Sequence, residues 1–220
     1  MANPVATANA DIHIVVVDYG MGNLRSVQNA IAHTGDYQVR VSSTADDIRA
    51  ADVLIIPGVG AFGDAMKNLR QRDLIPVLNE VRNRQVPVLG ICLGMQLFFD
   101  SSAEGGRHAG LGWIPGTVEY IEVDAQYRVP HVGWNDLNLT RPSPMFSQLQ
   151  GDRNFYFVHS YHAVCDPAVL LATVDYGMPI TAAVQHGHIV GMQFHPEKSQ
   201  RNGMLVLKSY LNWAAGLVHA

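Results

Sequence analysis

Residues 88–97 read Val-Leu-Gly-Ile-Cys-Leu-Gly-Met-Gln-Leu. An apolar run, Val86-Pro87-Val88-Leu89, enters a Gly-x-Cys-x-Gly turn, and a helix-like run over 95–99 leaves it. Strand, sharp turn and helix in that order make the layout of a nucleophile elbow, with cysteine in the place of serine. Glycine on both sides of Cys92 lets the backbone bend sharply and a substrate come close. The following helix would offer unpaired N–H groups and a positive dipole end, which favour thiolate over thiol.

The alternation of strand and helix extends outward from the elbow. Ile12-His13-Ile14-Val15-Val16-Val17 is a β-branched run ending at an Asp18-Tyr19-Gly20 turn. Leu24, Val27, Ala30 and Ile31 recur at helical spacing, and Gly35 closes that segment. Tyr37-Gln38-Val39-Arg40-Val41 predicts a second strand and Val53-Leu54-Ile55-Ile56 a third, stopped by Pro57-Gly58. Leu69, Leu74, Ile75, Leu78 and Val81 mark helical material before the strand at 86–91. Fully apolar strands between amphipathic helices predict a parallel sheet covered on both faces. The second half differs. Strand-like runs over 116–123, 155–158, 170–175, 180–185 and 189–194 are separated by short turns, and His186-Gly187-His188 suits a hairpin. Residues 204–215 read as a closing helix. The expected architecture is a single α/β domain over residues 11–220: a mixed, mostly parallel central sheet flanked by helices, with an antiparallel C-terminal section. Residues 1–10, rich in small side chains, are expected to form a flexible tail.

Composition narrows the function classes. Hydrophobic residues make up 48% of the 220 and charged ones 15%, enough apolar material for a sizeable core. A net charge of −4 gives no reason to expect nucleic acid or an anionic membrane as partner. No stretch approaches the roughly 20 apolar residues that span a bilayer, and the first ten residues lack the basic and apolar regions of a signal peptide. Cys92 and Cys165 do not make a disulfide framework. These features point to a soluble protein of a reducing, cytoplasmic compartment. Cys165, in Ala-Val-Cys-Asp-Pro with no glycine elbow, is expected to be a buried or half-buried spectator.

A cysteine nucleophile needs a base, which can lie far away in sequence. His195 follows the run Ile189-Val190-Gly191-Met192-Gln193-Phe194 and is pinned by Pro196, with Glu197 two residues on. A carboxylate beside a histidine holds one tautomer and steadies the cation. Cys92, His195 and Glu197 therefore make a candidate triad. Pro57-Gly58-Val59-Gly60 follows another apolar strand; its free N–H groups and that of Leu93 could form an oxyanion hole, or the loop could be an ordinary βα turn. Gly58, Gly60 and Gly63 spell G-x-G-x-x-G, but the acidic partner about 20 residues on falls in helical material at Glu80, which argues against a dinucleotide site. His186, His188 and His195, or His159 and His162, invite a metal reading. The chain has no Cys-x-x-Cys and no His-Glu-x-x-His, so no metal and no cofactor is expected.

Elbow cysteine, distant His-x-Glu and Pro-Gly-x-Gly loop, in this order, resemble the class I (triad) glutamine amidotransferases. Five segments, two of which hold that loop and that His-x-Glu, are similar to the glutaminase subunits of imidazole glycerol phosphate synthases. They are the stretches at 18–24, 57–66, 129–135 (Val-Pro-His-Val-Gly-Trp-Asn), 157–161 and 193–199 (Gln-Phe-His-Pro-Glu-Lys-Ser). The resemblance implies that Cys92 attacks the side-chain amide of glutamine, His195 shuttles the proton and Glu197 orients the imidazole. It implies substrate contacts at Gly58, Gly60, Leu93, Gln96, Ser160 and Tyr161. Asn23, Trp134, Asn135 and Lys198 would dock the partner, although a lysine there could also be an ordinary surface charge. The implied partner is a (β/α)8-barrel cyclase in a heterodimer. It would take the ammonia to a phosphorylated ribulosyl aminoimidazole, yielding imidazole glycerol phosphate and an aminoimidazole carboxamide ribotide in histidine biosynthesis. Glutaminase activity would be low until the barrel binds. A glutaminase of another synthase, such as the pyridoxal phosphate one, shares the triad. A non-catalytic thiol protein on the same fold would lack the histidine or the acid.

Overall fold

Continuous apolar runs form strands only where both faces of a sheet are covered. The computed structural model describes residues 12–219, so the tail expected over 1–10 lies outside the described residues. Strands β1 (His13–Val17), β2 (Gln38–Ser42), β3 (Val53–Gly58) and β4 (Val88–Cys92) run parallel, joined through helices α1 (Leu24–Ala32), α2 (Ala45–Arg49), α3 (Phe62–Gln71) and α4 (Leu74–Asn83). Side chains alternate between faces along each strand. Ile14, Val16, Val53, Ile55, Leu89 and Ile91 join one core with α1; Val15, Val17, Leu54, Ile56 and Val88 join another with α3 and α4.

A one-turn helix, α5 (Leu93–Gln96), follows the elbow. Then come β5 (Phe99–Ser102), β6 (His108–Ala109), β7 (Ile114–Tyr120), β8 (His131–Leu139), β9 (Asn154–His159), β10 (Tyr161–Cys165), β11 (Leu170–Asp175), β12 (Pro179–His186) and β13 (Ile189–Met192). Helix α6 (Gln200–Val218) closes the described chain against the first core. The large sheet has the order β2-β1-β3-β4-β13-β12-β11-β8-β9. β13 is parallel to β4, and the strands beyond it are antiparallel. The 186–188 turn makes the expected hairpin of β12 and β13. A second, four-stranded sheet, β10-β7-β5-β6, packs on the α3/α4 side.

The helix expected over 95–99 stops at Gln96, and Phe99 opens β5. Lateral pairing takes the carbonyls a longer helix would use: Leu97 O accepts from Leu111 N at 2.8 Å, and Phe98 O from Trp113 N at 2.7 Å. With one turn, α5 has little macrodipole, so an aligned dipole contributes little at the sulfur. β8 and β10 also go beyond the sequence reading. β8 alternates buried and open positions without a continuous apolar run, and its hydrogen-bonding partners lie far along the chain.

The fold closes tightly beneath the elbow. A Cβ at Gly94 would lie 1.7 Å from the Ile56 carbonyl oxygen, a backbone atom with no freedom to retreat. Gly94→Ala should therefore cost about 3 kcal/mol or more of stability in urea unfolding. Gly216→Ala is the control. An added Cβ there meets nothing within 4 Å, so this helical site should be neutral or gain up to about 1 kcal/mol. Equal midpoints for the two variants would contradict this packing argument.

Candidate active site

Cys92 ends β4 at the carboxyl edge of the parallel strands, where open α/β sheets place their ligands. Its φ of 54° and ψ of −111° are rare for any residue but glycine, and such a backbone costs on the order of 1–3 kcal/mol. Neighbours on both sides hold it there. Cys92 is paired with Gly58 of β3, while Ile91 is paired with Met192 of β13. The Gly58 position has no room for a side chain: a Cβ would lie 2.5 Å from the Tyr19 hydroxyl and 2.9 Å from Gly94 N.

His195 enters from the chain after β13. Its N–H donates to Tyr156 O at 3.0 Å, and its carbonyl accepts from Ser199 Oγ at 2.7 Å. Pro196 then opens a 3-10 turn, Pro196–Lys198, which aims Glu197 back at the ring. His195 Nδ1 lies 2.8 Å from Glu197 Oε1, and the two side chains are only 2% and 1% exposed. A carboxylate accepts, so Nδ1 carries the hydrogen and Nε2 is left for Cys92. Nε2 is buried and makes no hydrogen bond of ordinary geometry, yet Cys92 acts on the ring. Catalytic pairs commonly stay slightly loose until substrate closes them. Burial pushes the His195 pKa down; contact with Cys92 and then with Glu197 outweighs it and raises the value to about 9.

The other imidazoles nearby are held neutral. Burial lowers His159 to about 3 and His131 to about 4, and it lowers His162 as well. His159 Nδ1 donates to Tyr161 O at 2.8 Å, so its Nε2 accepts from His131 Nδ1 at 3.2 Å. Tyr19, pushed well up by burial and then by the charge of Cys92, keeps its proton and donates it to Pro57 O at 2.7 Å. A pocket of about 360 Å³ opens over these groups. Gly60, Cys92, Leu93, Gln96, Ser160, Tyr161 and His195 line it, while Gly58 lies beneath the elbow. Gln96 is buried; its Nε2 donates to Tyr161 O at 3.0 Å and to Gln193 Oε1 at 2.9 Å. Only its Oε1 remains for a ligand, which limits Gln96 to accepting.

Glu104 and Gln193 belong to this neighbourhood without having been singled out for it in the sequence, and His159, weighed there as a metal ligand, lines the pocket. Glu104 sits in Ala-Glu-Gly-Gly, which reads as a solvated turn. Its Oε2 accepts from Phe62 N at 2.7 Å, tying that turn to the start of α3, just past the glycine loop. Gln193 lies inside a quoted motif, but its direction is a property of the fold. Of the expected docking residues, Trp134 is 44% exposed and meets Tyr156 edge-on, and Lys198 Nζ lies 5.8 Å above the same ring. Asn23 and Asn135 have local partners: Asn23 caps α1, and Asn135 Nδ2 donates to Asp175 O at 2.9 Å. Among the described residues no three His, Cys, Asp or Glu side chains converge as metal ligands. Cys165 is half-buried and its thiol is pushed up to about 11.

A histidine with a higher pKa folded than unfolded stabilises the fold below about pH 6.5, and loses that contribution as pH rises through about 9. Glu197→Gln removes one of the two raising contacts while burial persists. The His195 pKa, followed by NMR of its ring, should fall below 9 in that variant, and the pH-dependent loss of stability should move down with it. An unmoved titration would show that Glu197 does not hold the cation.

The class-I glutamine amidotransferase family model matches residues 15–211. The chain is 56% identical to imidazole glycerol phosphate synthase subunit HisH 2 of Vibrio vulnificus (strain YJ016), over 94% of its own length and 99% of the relative's. It is 48% identical to the HisH subunit of Moorella thermoacetica (strain ATCC 39073 / JCM 9320), over 90% and 93% of the two chains. In fold it is similar to PurLQS from Thermotoga maritima, with a TM-score of 0.69 at 18% identity over 92% and 98%. A solved glutamine amidotransferase gives the same TM-score at 19% identity over 92% and 98%. The chain belongs to the class-I glutamine amidotransferases, and within them to the HisH family of imidazole glycerol phosphate synthase subunits.

Proposed function

We propose that the chain hydrolyses glutamine to glutamate and ammonia and passes the ammonia to a (β/α)8-barrel cyclase, as the glutaminase half of a cytoplasmic heterodimer in histidine biosynthesis. The observation that carries this reading is the buried His195–Glu197 pair facing a cysteine on a strained elbow. An amide is a poor electrophile with a poor leaving group. It needs a strong nucleophile, a place for the oxyanion and a proton for the departing nitrogen. Cys92 Sγ attacks the amide carbon, and the carbonyl electrons move onto oxygen. The N–H of Leu93 and an N–H near Gly60 receive that oxyanion. His195 Nε2–H protonates the nitrogen, the C–N bond breaks, and a thioester remains on Cys92. Water then loses a proton to His195 and attacks. The C–S bond breaks and glutamate leaves. Glu197 keeps Nδ1 engaged throughout.

Substrate selection follows from the polar groups at the pocket wall. Gln96 Oε1 and the Glu104 carboxylate can only accept, which suits the NH₂ and NH₃⁺ groups of glutamine. The Ser160 and Tyr161 carbonyls are already taken, by Ile121 N and by Gln96 with His159. The N–H groups of that segment are then what a substrate carboxylate would meet.

Ammonia released into water would be protonated and lost, so a closed route to a second site is the sensible arrangement. Val59 at the pocket rim, with Val132 and Trp134, forms an exposed apolar surface suited to the cyclase. Tyr19 pins the carbonyl of Pro57 and Gly58 is held in β3, so Val59 and Gly60 are the free part of the glycine loop. Reorientation of one N–H there on cyclase binding would couple the two sites. A glutaminase for pyridoxal phosphate synthesis would share the triad; the likeness to HisH proteins favours the cyclase.

Glutamate release, measured with and without the cyclase, tests the proposal. With the partner, Cys92→Ala should lose about 10³-fold or more in kcat, while Cys165→Ala should keep it. Trp134→Ala should weaken cyclase binding by roughly tenfold or more by titration calorimetry. Undiminished turnover by Cys92→Ala would sink the glutaminase reading, and equal turnover by the isolated chain and the pair would sink the coupling.

A further inference from the structure

Gln193 directly follows β13 and is wholly shielded from solvent. Its backbone N–H donates to Ala182 O at 2.8 Å, which fixes it to β12. The chain bends at Gln193 and Phe194 before it reaches His195. Phe194 packs on Phe155 in the core, with ring centroids 4.4 Å apart. The Gln193 amide nitrogen lies 3.6 Å from Cys92 Sγ.

An amide's oxygen and nitrogen have nearly the same shape, so its direction needs a chemical argument. The neighbours supply one. The Tyr161 carbonyl can only accept, so Gln96 must turn its NH₂ toward it. The second hydrogen of that NH₂ goes to Gln193, which must therefore present Oε1 to Gln96. The nitrogen of Gln193 is then the atom left for the sulfur. A backbone carbonyl thus dictates, through two side-chain amides, that the Cys92 sulfur receives a donor.

We propose that Gln193 is a catalytic residue, a donor to Cys92 Sγ that stabilises the thiolate before attack and again when the thioester breaks. This rests on Cys92 being the nucleophile of glutamine hydrolysis. His195 cannot serve both purposes continuously. Once it has given its proton to the departing nitrogen it is neutral, and it regains one only by turning to the attacking water, while on thioester hydrolysis the C–S electron pair must return to sulfur. An amide N–H does not titrate and remains a donor at every stage. The other groups around the sulfur are already engaged. Glu197 holds His195, Tyr19 donates to Pro57 O, and His159 is neutral and donates to Tyr161 O.

The test uses the full chain with Gln193→Glu and Gln193→Met. The first keeps an oxygen for Gln96 and places a second acceptor beside the sulfur. The second removes the donor and releases Gln96 as well. Alkylation of Cys92 by iodoacetamide against pH reads the thiolate without glutamine or cyclase. Gln193→Glu should slow labelling at pH 7 on the order of tenfold and displace the profile to higher pH. Gln193→Met should move it in the same direction by less. In glutamine turnover with the cyclase, Gln193→Glu should lose kcat and keep KM within about threefold, whereas Gln193→Met should also raise KM. Wild-type labelling profiles in both variants, or a loss confined to KM, would overturn the proposal. Should either variant not fold, the unsubstituted chain decides: capping Cys92 must shift one side-chain amide proton of Gln193 in ¹⁵N NMR, and an unmoved signal would overturn it equally. A wild type that labels as described but does not turn over glutamine would refute the glutaminase reading and leave the hydrogen bond standing.

Discussion

The chemistry of this molecule depends on one backbone conformation held where an L-residue would not go unaided. Cys92, at φ 54°, is the last residue of a strand paired on both sides, and the turn after it lies against β3 so closely that Gly94 has no room for a Cβ. The strain is local and the restraint is global: two sheet neighbours, two packed faces and a glycine that meets a carbonyl. Because the strand cannot shift, the sulfur stands at the edge of the sheet. The chains after β3 and β13 arrive at the same edge because their strands are its parallel neighbours.

Around that edge the protein sorts its charges. Burial by itself would leave every imidazole neutral, and it does so for His131, His159 and His162. His195 alone among these has its pKa raised, because Cys92 and Glu197 repay the loss of solvent. One cation among neutral rings gives the proton a single address. The same hydrogen bonds fix direction as well as charge. Tyr161 O receives both Gln96 and His159, so one backbone carbonyl orders the amides on one side and the imidazoles on the other.

The fold was largely legible in the sequence for a definite reason. The buried parallel strands carry unbroken apolar runs and the helices carry clear periodicity, both local signals. The elements that go beyond the reading have signals of another kind. Phe98 and Phe99 look like a continuing helix, but their fate is decided by pairing with residues 111–114. β8 is a strand because of what lies beside it in the sheet, and its alternating sequence suits a surface loop equally well. Glu104 gave no signal at all; as a carboxylate in a glycine-rich turn it looks solvated until Phe62 N–H is found on it.

The sequence by itself determined the chemical set: a cysteine between glycines, a histidine with a carboxylate two residues on, and a glycine loop after an apolar strand. These are local patterns, since the bend at Cys92 and the return of Glu197 to His195 each need only a few residues. The tertiary structure decided what those groups do to one another. It brought residues 58, 92 and 195 to one sheet edge, left one imidazole able to charge among neutral ones, and turned the Gln193 amide toward sulfur. Distances, desolvation and hydrogen-bond direction depend on partners far away along the chain, and only the packed chain makes them neighbours.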